Sequence, residues 1–207
     1  MKRLMSGPKR VVVAMSGGVD SSVVAGLLCE AGHDVIGVMM KLYSSDDPDP
    51  ASEKACCGLD DVSDARRVAD TLGIPFYLVN YQSDFQQEVI DRFVEDYARG
   101  RTPNPCVRCN DTVKFETLLS RARLLGADYL ATGHYVRTEV DETGEVSLYR
   151  GVDRAKDQSY FLAGISRDAL QRVIFPLGGM TKEEFHELVL ANQEDAQVLP
   201  RQGGLRR

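Results

Sequence analysis

A run of six residues constrains the architecture before the rest of the chain is read. Arg10-Val-Val-Val-Ala-Met15 is a continuous apolar, β-branched stretch, and Ser16-Gly17-Gly18-Val19-Asp20-Ser21-Ser22 follows it directly. A strand whose apolar side chains come in succession, not in alternation, is buried on both faces. Such a strand belongs in a parallel sheet with helices above and below it. The glycine turn then leads into residues 21–31, where Val23, Val24, Leu27 and Leu28 share one helical face and Gly32 ends the helix. Residues 35–40, 76–79 and 129–132 read as further strands, and 61–72, 85–97 and 113–125 as helices. This alternation specifies an α/β fold with a doubly wound parallel sheet. After His134 the pattern changes. Residues 136–140 and 146–150 flank Glu142-Thr143-Gly144 as a hairpin, and short helices are expected over 160–165, 168–174 and 182–190. The expected organisation is a loose tail over 1–9, an α/β domain over 10–135, a hairpin-and-helix extension over 136–190, and an aperiodic stretch over 191–207.

Bulk properties exclude several classes. A net charge of −6 argues against a protein that coats nucleic acid without specificity. No apolar run approaches the roughly 18 residues of a membrane helix, so no membrane partner is expected. The start, MKRLMSGPKR, is basic but has no small-residue cleavage site, and so does not read as a signal peptide. The cysteines number five, at 29, 56, 57, 106 and 109. An odd, uneven set in a chain of this length does not suit a secreted disulfide scaffold, and a reducing, cytoplasmic setting is expected.

The glycine turn lies where an open α/β sheet places its anion site, at the N-terminus of a helix. Glycines let main-chain N–H groups approach a phosphate, and Ser16, Ser21 and Ser22 add hydroxyls. No Lys-Ser/Thr pair follows the glycines, so the turn is not a Walker A loop. Asp20 or Ser21 is the expected helix N-cap. The string S-G-G-x-D-S resembles the signature of the PP-loop ATP pyrophosphatases. That resemblance implies ATP as the bound nucleotide, cleaved to AMP and pyrophosphate so as to adenylate a carbonyl oxygen, with Asp20 positioning Mg²⁺ or the loop itself.

Further strings narrow the resemblance. They are Gly37-Val-Met-Met-Lys41, Asp64-Ala-Arg-Arg-Val-Ala69, Leu72-Gly-Ile-Pro-Phe-Tyr77, Thr102-Pro-Asn-Pro-Cys106 with Lys114-Phe115, Ala131-Thr-Gly-His-Tyr135, Lys156-Asp-Gln-Ser-Tyr-Phe-Leu162 and Pro176-Leu-Gly-Gly-Met-Thr-Lys182. In this order, over residues 10–184, the chain resembles the tRNA-specific 2-thiouridylase family, which thiolates the wobble uridine. The resemblance implies that Ala14, Met15, Ser16, Gly17, Gly18, Val19, Asp20, Ser21, Met40 and Gly133 line an ATP site. It implies that Asn104, Pro105 and Cys106 touch the target base, and that Lys156, Asp157 and Gln158 contact tRNA at its anticodon stem-loop. Cys109 matches the family's nucleophile, and Cys106 and Asp20 complete the implied catalytic set. A persulfide sulfur donor, such as a cysteine desulfurase or a relay protein, is the implied second partner. Between Arg99 and Arg123 six basic residues face only two acidic ones, a local surplus suited to phosphate contacts.

The chain departs from the family pattern in two places. Cys106 stands where many members have Asp, so Cys106-x-x-Cys109 is also half of a zinc or iron–sulfur site, with Cys56 and Cys57 as the other sulfurs available. The family has a second catalytic cysteine downstream followed by β-rich domains, whereas no cysteine follows Cys109 here. The stretch beyond Lys182 is therefore expected to come from a frameshift, a truncated gene or a cloned fragment. Two alternatives stand beside the thiolase reading. One is another PP-loop adenylating ligase or amidotransferase; the other is a non-catalytic remnant that binds ATP or RNA.

Overall fold

The computed structural model describes residues 7–42 and 59–195. Its elements run β1 (Arg10–Met15), α1 (Val19–Glu30), β2 (Asp34–Lys41), α2 (Leu59–Leu72), β3 (Phe76–Asn80), a helix α3 over residues 82–98 and a helix α4 over residues 105–124. Then come β4 (Tyr129–Ala131), β5 (Val136–Val140), β6 (Val146–Arg150), α5 (Arg167–Arg172), β7 (Val173–Ile174) and α6 (Lys182–Asp195), with 3₁₀ turns at Ser159–Leu162 and Pro176–Gly179.

Five strands form one parallel sheet in the order β3-β2-β1-β4-β7, and β5 pairs antiparallel with β6 as a separate hairpin. The doubly wound parallel fold expected from the sequence is the one observed. β1 sits at its centre, with Val12 opposite Ile36 on one side and Leu130 on the other. Val11, Val12 and Val13 have no solvent exposure. Alternate residues of β1 serve different layers. Val11, Val13 and Met15 pack with Val24 and Leu28 of α1 and Ala65 and Val68 of α2. Val12 packs with Val89 of α3 and Val113, Phe115 and Leu118 of α4. Each fully buried side chain of this size contributes roughly 1.5–3 kcal/mol relative to exposure. The order of strands along the chain reverses between β1 and β4, so their carboxyl ends open a crevice.

Three elements differ from the sequence reading. The helix expected over 168–174 stops at Arg172, and Val173–Ile174 adds a fifth strand beside β4. Two buried β-branched residues fit a sheet edge better than a helix end. The helix expected over 160–165 is only the 3₁₀ turn Ser159–Leu162. The helix expected from 113 begins instead at Pro105, because Asn104 caps it: its Oδ1 accepts from the N–H groups of Cys106 at 3.0 Å and Val107 at 3.3 Å. Asn at N-cap followed by Pro at the first helical position is a strong start signal. Within α3 and α4 the segments Gln86–Asp91 and Cys109–Leu118 widen to π-type winding.

The Pro176–Gly179 turn seats directly on the hairpin. A Cβ on Gly178 would lie 1.6 Å from the carbonyl oxygen of Val136, whereas one on Gly179 would meet nothing within 4 Å. Gly178→Ala is therefore expected to destabilise the chain by about 2–3 kcal/mol, and Gly179→Ala to cost well under half of that. Denaturant titration of both variants checks this pair, and equal midpoints would contradict the packing described.

Candidate functional site

The glycine turn closes over the carboxyl end of β1. Gly17 has φ +76°, a left-handed conformation available to glycine at little cost. The turn also touches α2: a Cβ on Gly17 would lie 2.5 Å from the Asp61 carbonyl oxygen. Two separate constraints therefore hold glycine at this position. Gly18 is the N-cap of α1 in an extended conformation, and no side chain caps the helix. The expectation that Asp20 or Ser21 caps is thus corrected. Ser21 Oγ accepts from the Ser16 N–H at 3.1 Å and donates to the Gly18 carbonyl at 3.1 Å, while Ser22 Oγ donates to the same carbonyl at 3.0 Å. The serine hydroxyls brace the loop and leave the first main-chain N–H groups of a twelve-residue helix without a side-chain partner.

Asp20 is occupied elsewhere. Its Oδ1 accepts from Tyr135 Oη at 3.0 Å. Burial pushes the Asp20 carboxyl above its usual range, while the Tyr135 hydroxyl and the charge of Lys156 pull it back. Burial and the Asp20 carboxylate push the Tyr135 phenol far above its own range, so it stays an O–H donor. Gly133, at the end of β4, approaches the start of α1, where a Cβ would lie 3.1 Å from Asp20 Cβ and from the Ser21 nitrogen. The structure thus gathers Ser16, Gly17, Gly18, Asp20, Ser21 and Gly133 at one crevice. Met40 is a core residue, 6% exposed, packed on the α3–α4 side of the sheet with Val12.

Residues 156–158 reach the same crevice. Gln158 Oε1 lies 2.9 Å from His134 Nδ1 and accepts from the Tyr135 N–H at 3.2 Å. Asp157 fastens the turn, accepting from the Gly151 N–H at 3.0 Å and from Ser159 Oγ at 2.8 Å. His134 is part-buried, and burial together with the charge of Lys114 pulls its imidazole down to about 4.

The two described cysteines of the C-x-x-C string stand on the first turns of α4, one turn apart and therefore on one face. Cys106 is exposed, Cys109 is half-buried against the core, and neither is in a disulfide. Arg108 holds this helix start to α3 through Glu88, with its Nη2 at 2.7 Å from Oε2. An open cleft of about 500 Å³ lies between α3 and α4, lined by Phe93, Arg99, Arg101, Asn104, Pro105 and Tyr160 among others. Asn104 and Pro105 line it; Cys106 and Cys109 do not. No group of three or more His, Cys, Asp or Glu side chains able to hold a metal occurs among the described residues. The pair at 106 and 109 offers two thiols to a zinc or iron–sulfur centre, and Cys56 and Cys57 lie outside the described residues. Cys29, near the end of α1, is pushed up by burial and by Glu30, the mark of an inert structural thiol. No described helix is long and apolar enough to cross a membrane.

Tyr135 carries the site's longest connection, and sequence reading did not single it out. Its partner Asp20 lies 115 residues away in the chain, and no periodicity links them. The start of α4 at Asn104-Pro105 was readable from its capping signal.

A parallel sheet with a glycine–serine loop at its switch point, an uncapped helix N-terminus and a carboxylate beside it define an α/β domain of the PP-loop type. The chain belongs to the family described as tRNA methyl transferase HUP domain, whose model matches residues 9–202. It is 61% identical over 183 residues to the tRNA-specific 2-thiouridylase MnmA of Geobacter metallireducens, covering 87% of this chain and 50% of that protein. It is 54% identical over 187 residues to the tRNA-specific 2-thiouridylase MnmA of Thermus thermophilus, covering 87% of this chain and 49% of that one. The chain spans about half the length of the curated relatives it matches. Among solved structures, a 4-thiouridine synthetase–RNA complex with bound ATP aligns with TM-score 0.52 and 22% identity, over 88% of this chain and 40% of its own. A glutamine-dependent NAD+ synthetase from Acinetobacter baumannii in complex with ADP aligns with TM-score 0.55 and 17% identity, over 96% of this chain and 32% of its own. At these identities the likeness is one of fold.

The depressed His134 gives a pH prediction. The unfolded chain protonates this imidazole near 6.5, whereas the folded chain resists until about 4. Its neutral burial therefore contributes stability that is fully present above about 6.5 and is lost as pH falls towards 4. His134→Gln is expected to flatten the acid limb of the stability curve by roughly 3 kcal/mol between these limits. An unchanged slope in denaturant titrations from pH 7 to pH 4 would contradict the assignment.

Proposed function

We propose that this chain carries the ATP- and tRNA-binding half of a wobble-uridine 2-thiolation reaction in the cytoplasm. The observation that carries the proposal is the loop at the end of β1. Gly17 is left-handed and pressed on Asp61, and the first N–H groups of α1 are left open beside Gly133. Loops of this kind receive phosphates at a helix N-terminus. The 2-thiouridylase name of relatives more than half identical to this chain supplies the substrate class. Residues 14–21 and Gly133 are assigned to ATP, with Met40 shaping the wall behind them. Asp20 is assigned to orientation of the loop and of Mg²⁺ when the ion is bound, which neutralises phosphate charge.

The target base lies in a stacked loop and is splayed out to be reached. Asn104 and Pro105, at the cleft between α3 and α4, are assigned to that base, Cys106 beside them, and residues 156–158 to the anticodon stem-loop. The uracil O2 attacks the α-phosphorus of ATP, the bond to the β-phosphate breaks, and pyrophosphate leaves. The terminal sulfur of a protein persulfide then attacks C2, and AMP leaves with the former O2. Cys109 as thiolate attacks the inner sulfur of that persulfide. The S–S bond breaks, thiouracil retains the outer sulfur, and Cys109 ends in a mixed disulfide that a thiol reduces. Cys109 stands one turn into the capped helix, on the face it shares with Cys106. The pair with Cys106 is also suited to hold two positions of a metal centre.

The test is pyrophosphate release from ATP in the presence of anticodon stem-loops that differ only at the wobble base. Release is expected with uridine and not with cytidine, and Asp20→Ala is expected to abolish both release and ATP binding. Release that ignores the wobble base, or ATP binding unchanged in Asp20→Ala, would overturn the reading.

A further inference from the structure

Asp20 is joined to the turn at residues 151–159 by contacts that cross the crevice. Tyr135 Oη donates to Asp20 at 3.0 Å. The main chain of Tyr135 is in turn held at both polar groups by one residue, Gln158: its N–H donates to Gln158 Oε1 at 3.2 Å, and its carbonyl accepts from the Gln158 N–H at 3.3 Å. The other end of the turn presses on the same carbonyl, since a Cβ on Gly151 would lie 2.7 Å from it. Asp157 ties the two ends of the turn together, bonding Gly151 and Ser159. Lys156 adds its positive charge to the surroundings of Asp20. The turn and Tyr135 are therefore one mechanical unit, and the Asp20 carboxylate is its terminus.

We propose that Tyr135 is the positioning residue for Asp20 and that, through Gln158, it couples nucleotide binding at the glycine loop to RNA binding at residues 156–158. The inference rests on the ATP and RNA assignments above and goes beyond them in naming the link. Removing the Tyr135 hydroxyl leaves a half-buried carboxylate oxygen without its donor, which weakens whatever Asp20 orients. RNA held at residues 156–158 fixes Gln158, hence Tyr135 and the Asp20 rotamer, so ordering done for one ligand is not repeated for the other. Coupling of this kind is reciprocal: ATP tightens RNA binding by the factor with which RNA tightens ATP binding.

The experiment is calorimetric titration of the full 207-residue chain with ATP, alone and with saturating wobble-uridine stem-loop RNA, for the unaltered chain, Tyr135→Phe and Gln158→Ala. Thermal unfolding monitors the fold of each. RNA is expected to tighten ATP binding roughly fivefold or more in the unaltered chain. Tyr135→Phe is expected to weaken ATP binding about tenfold, and in both variants the RNA effect falls to within about twofold of unity. A folded Tyr135→Phe chain that keeps the full RNA effect would overturn the link, as would an unaltered chain that binds both ligands without mutual effect. If the unaltered chain binds no ATP or no RNA, the proposed function falls and the link falls with it. The shared-ordering account separates from a merely structural role because lost stability does not by itself cancel the dependence of one ligand on the other.

Discussion

The burial of β1 on both of its faces is the constraint on which the rest depends. Three consecutive valines without solvent exposure need a strand on each edge and a helical layer on each side. That requirement places β2 and β4 beside β1, α1 and α2 below, α3 and α4 above. Once β2 and β4 flank β1, the chain order must reverse between β1 and β4, and the crevice at their carboxyl ends follows from topology alone. The glycine loop sits there because it is the connection out of β1.

What the crevice can do follows from how its polar groups are satisfied. The serine hydroxyls are turned back on their own loop, binding Gly18 and Ser16, so the open main-chain donors of α1 are left for an anion. Glycine is required at Gly17, against Asp61, and Gly133 makes a tight approach to Asp20. The Asp20 carboxylate is neither exposed nor unpaired, because Tyr135 holds it. Residues 151–159 complete this surface from a part of the chain that lies beyond the hairpin, so the two sides proposed for nucleotide and RNA share a wall. The thiols belong to the other layer, on the first turns of α4, where Arg108 and Asn104 fix the helix start.

The sequence made the central strand, the loop and the βαβ repeat readable because each is a local pattern: a β-branched run, paired glycines, a helical period. The family strings named Asp20, Gly133 and Gln158 one by one, and the structure brings these three together. Their connection was not readable. The Tyr135–Asp20 bond spans most of the domain, and Gln158 acts through main-chain groups whose positions depend on the finished fold. The two-residue strand β7 escaped for a similar reason: it is too short to show a period and exists because β4 offers it an edge. The start of α4, by contrast, is signalled locally, since Asn104-Pro105 is a cap and a first-turn proline in the right order.

The central claim is that the loop at 15–22 and the first turn of α1 receive the phosphates of ATP. Hydrogen–deuterium exchange of the intact chain, with and without ATP and Mg²⁺, tests it most directly. The account predicts slower exchange at the amides of Gly17 to Ser21, with a smaller change at residues 133–135 and none on α5. Exchange at residues 17–21 that is the same with and without ATP, under conditions where the nucleotide binds, would contradict it.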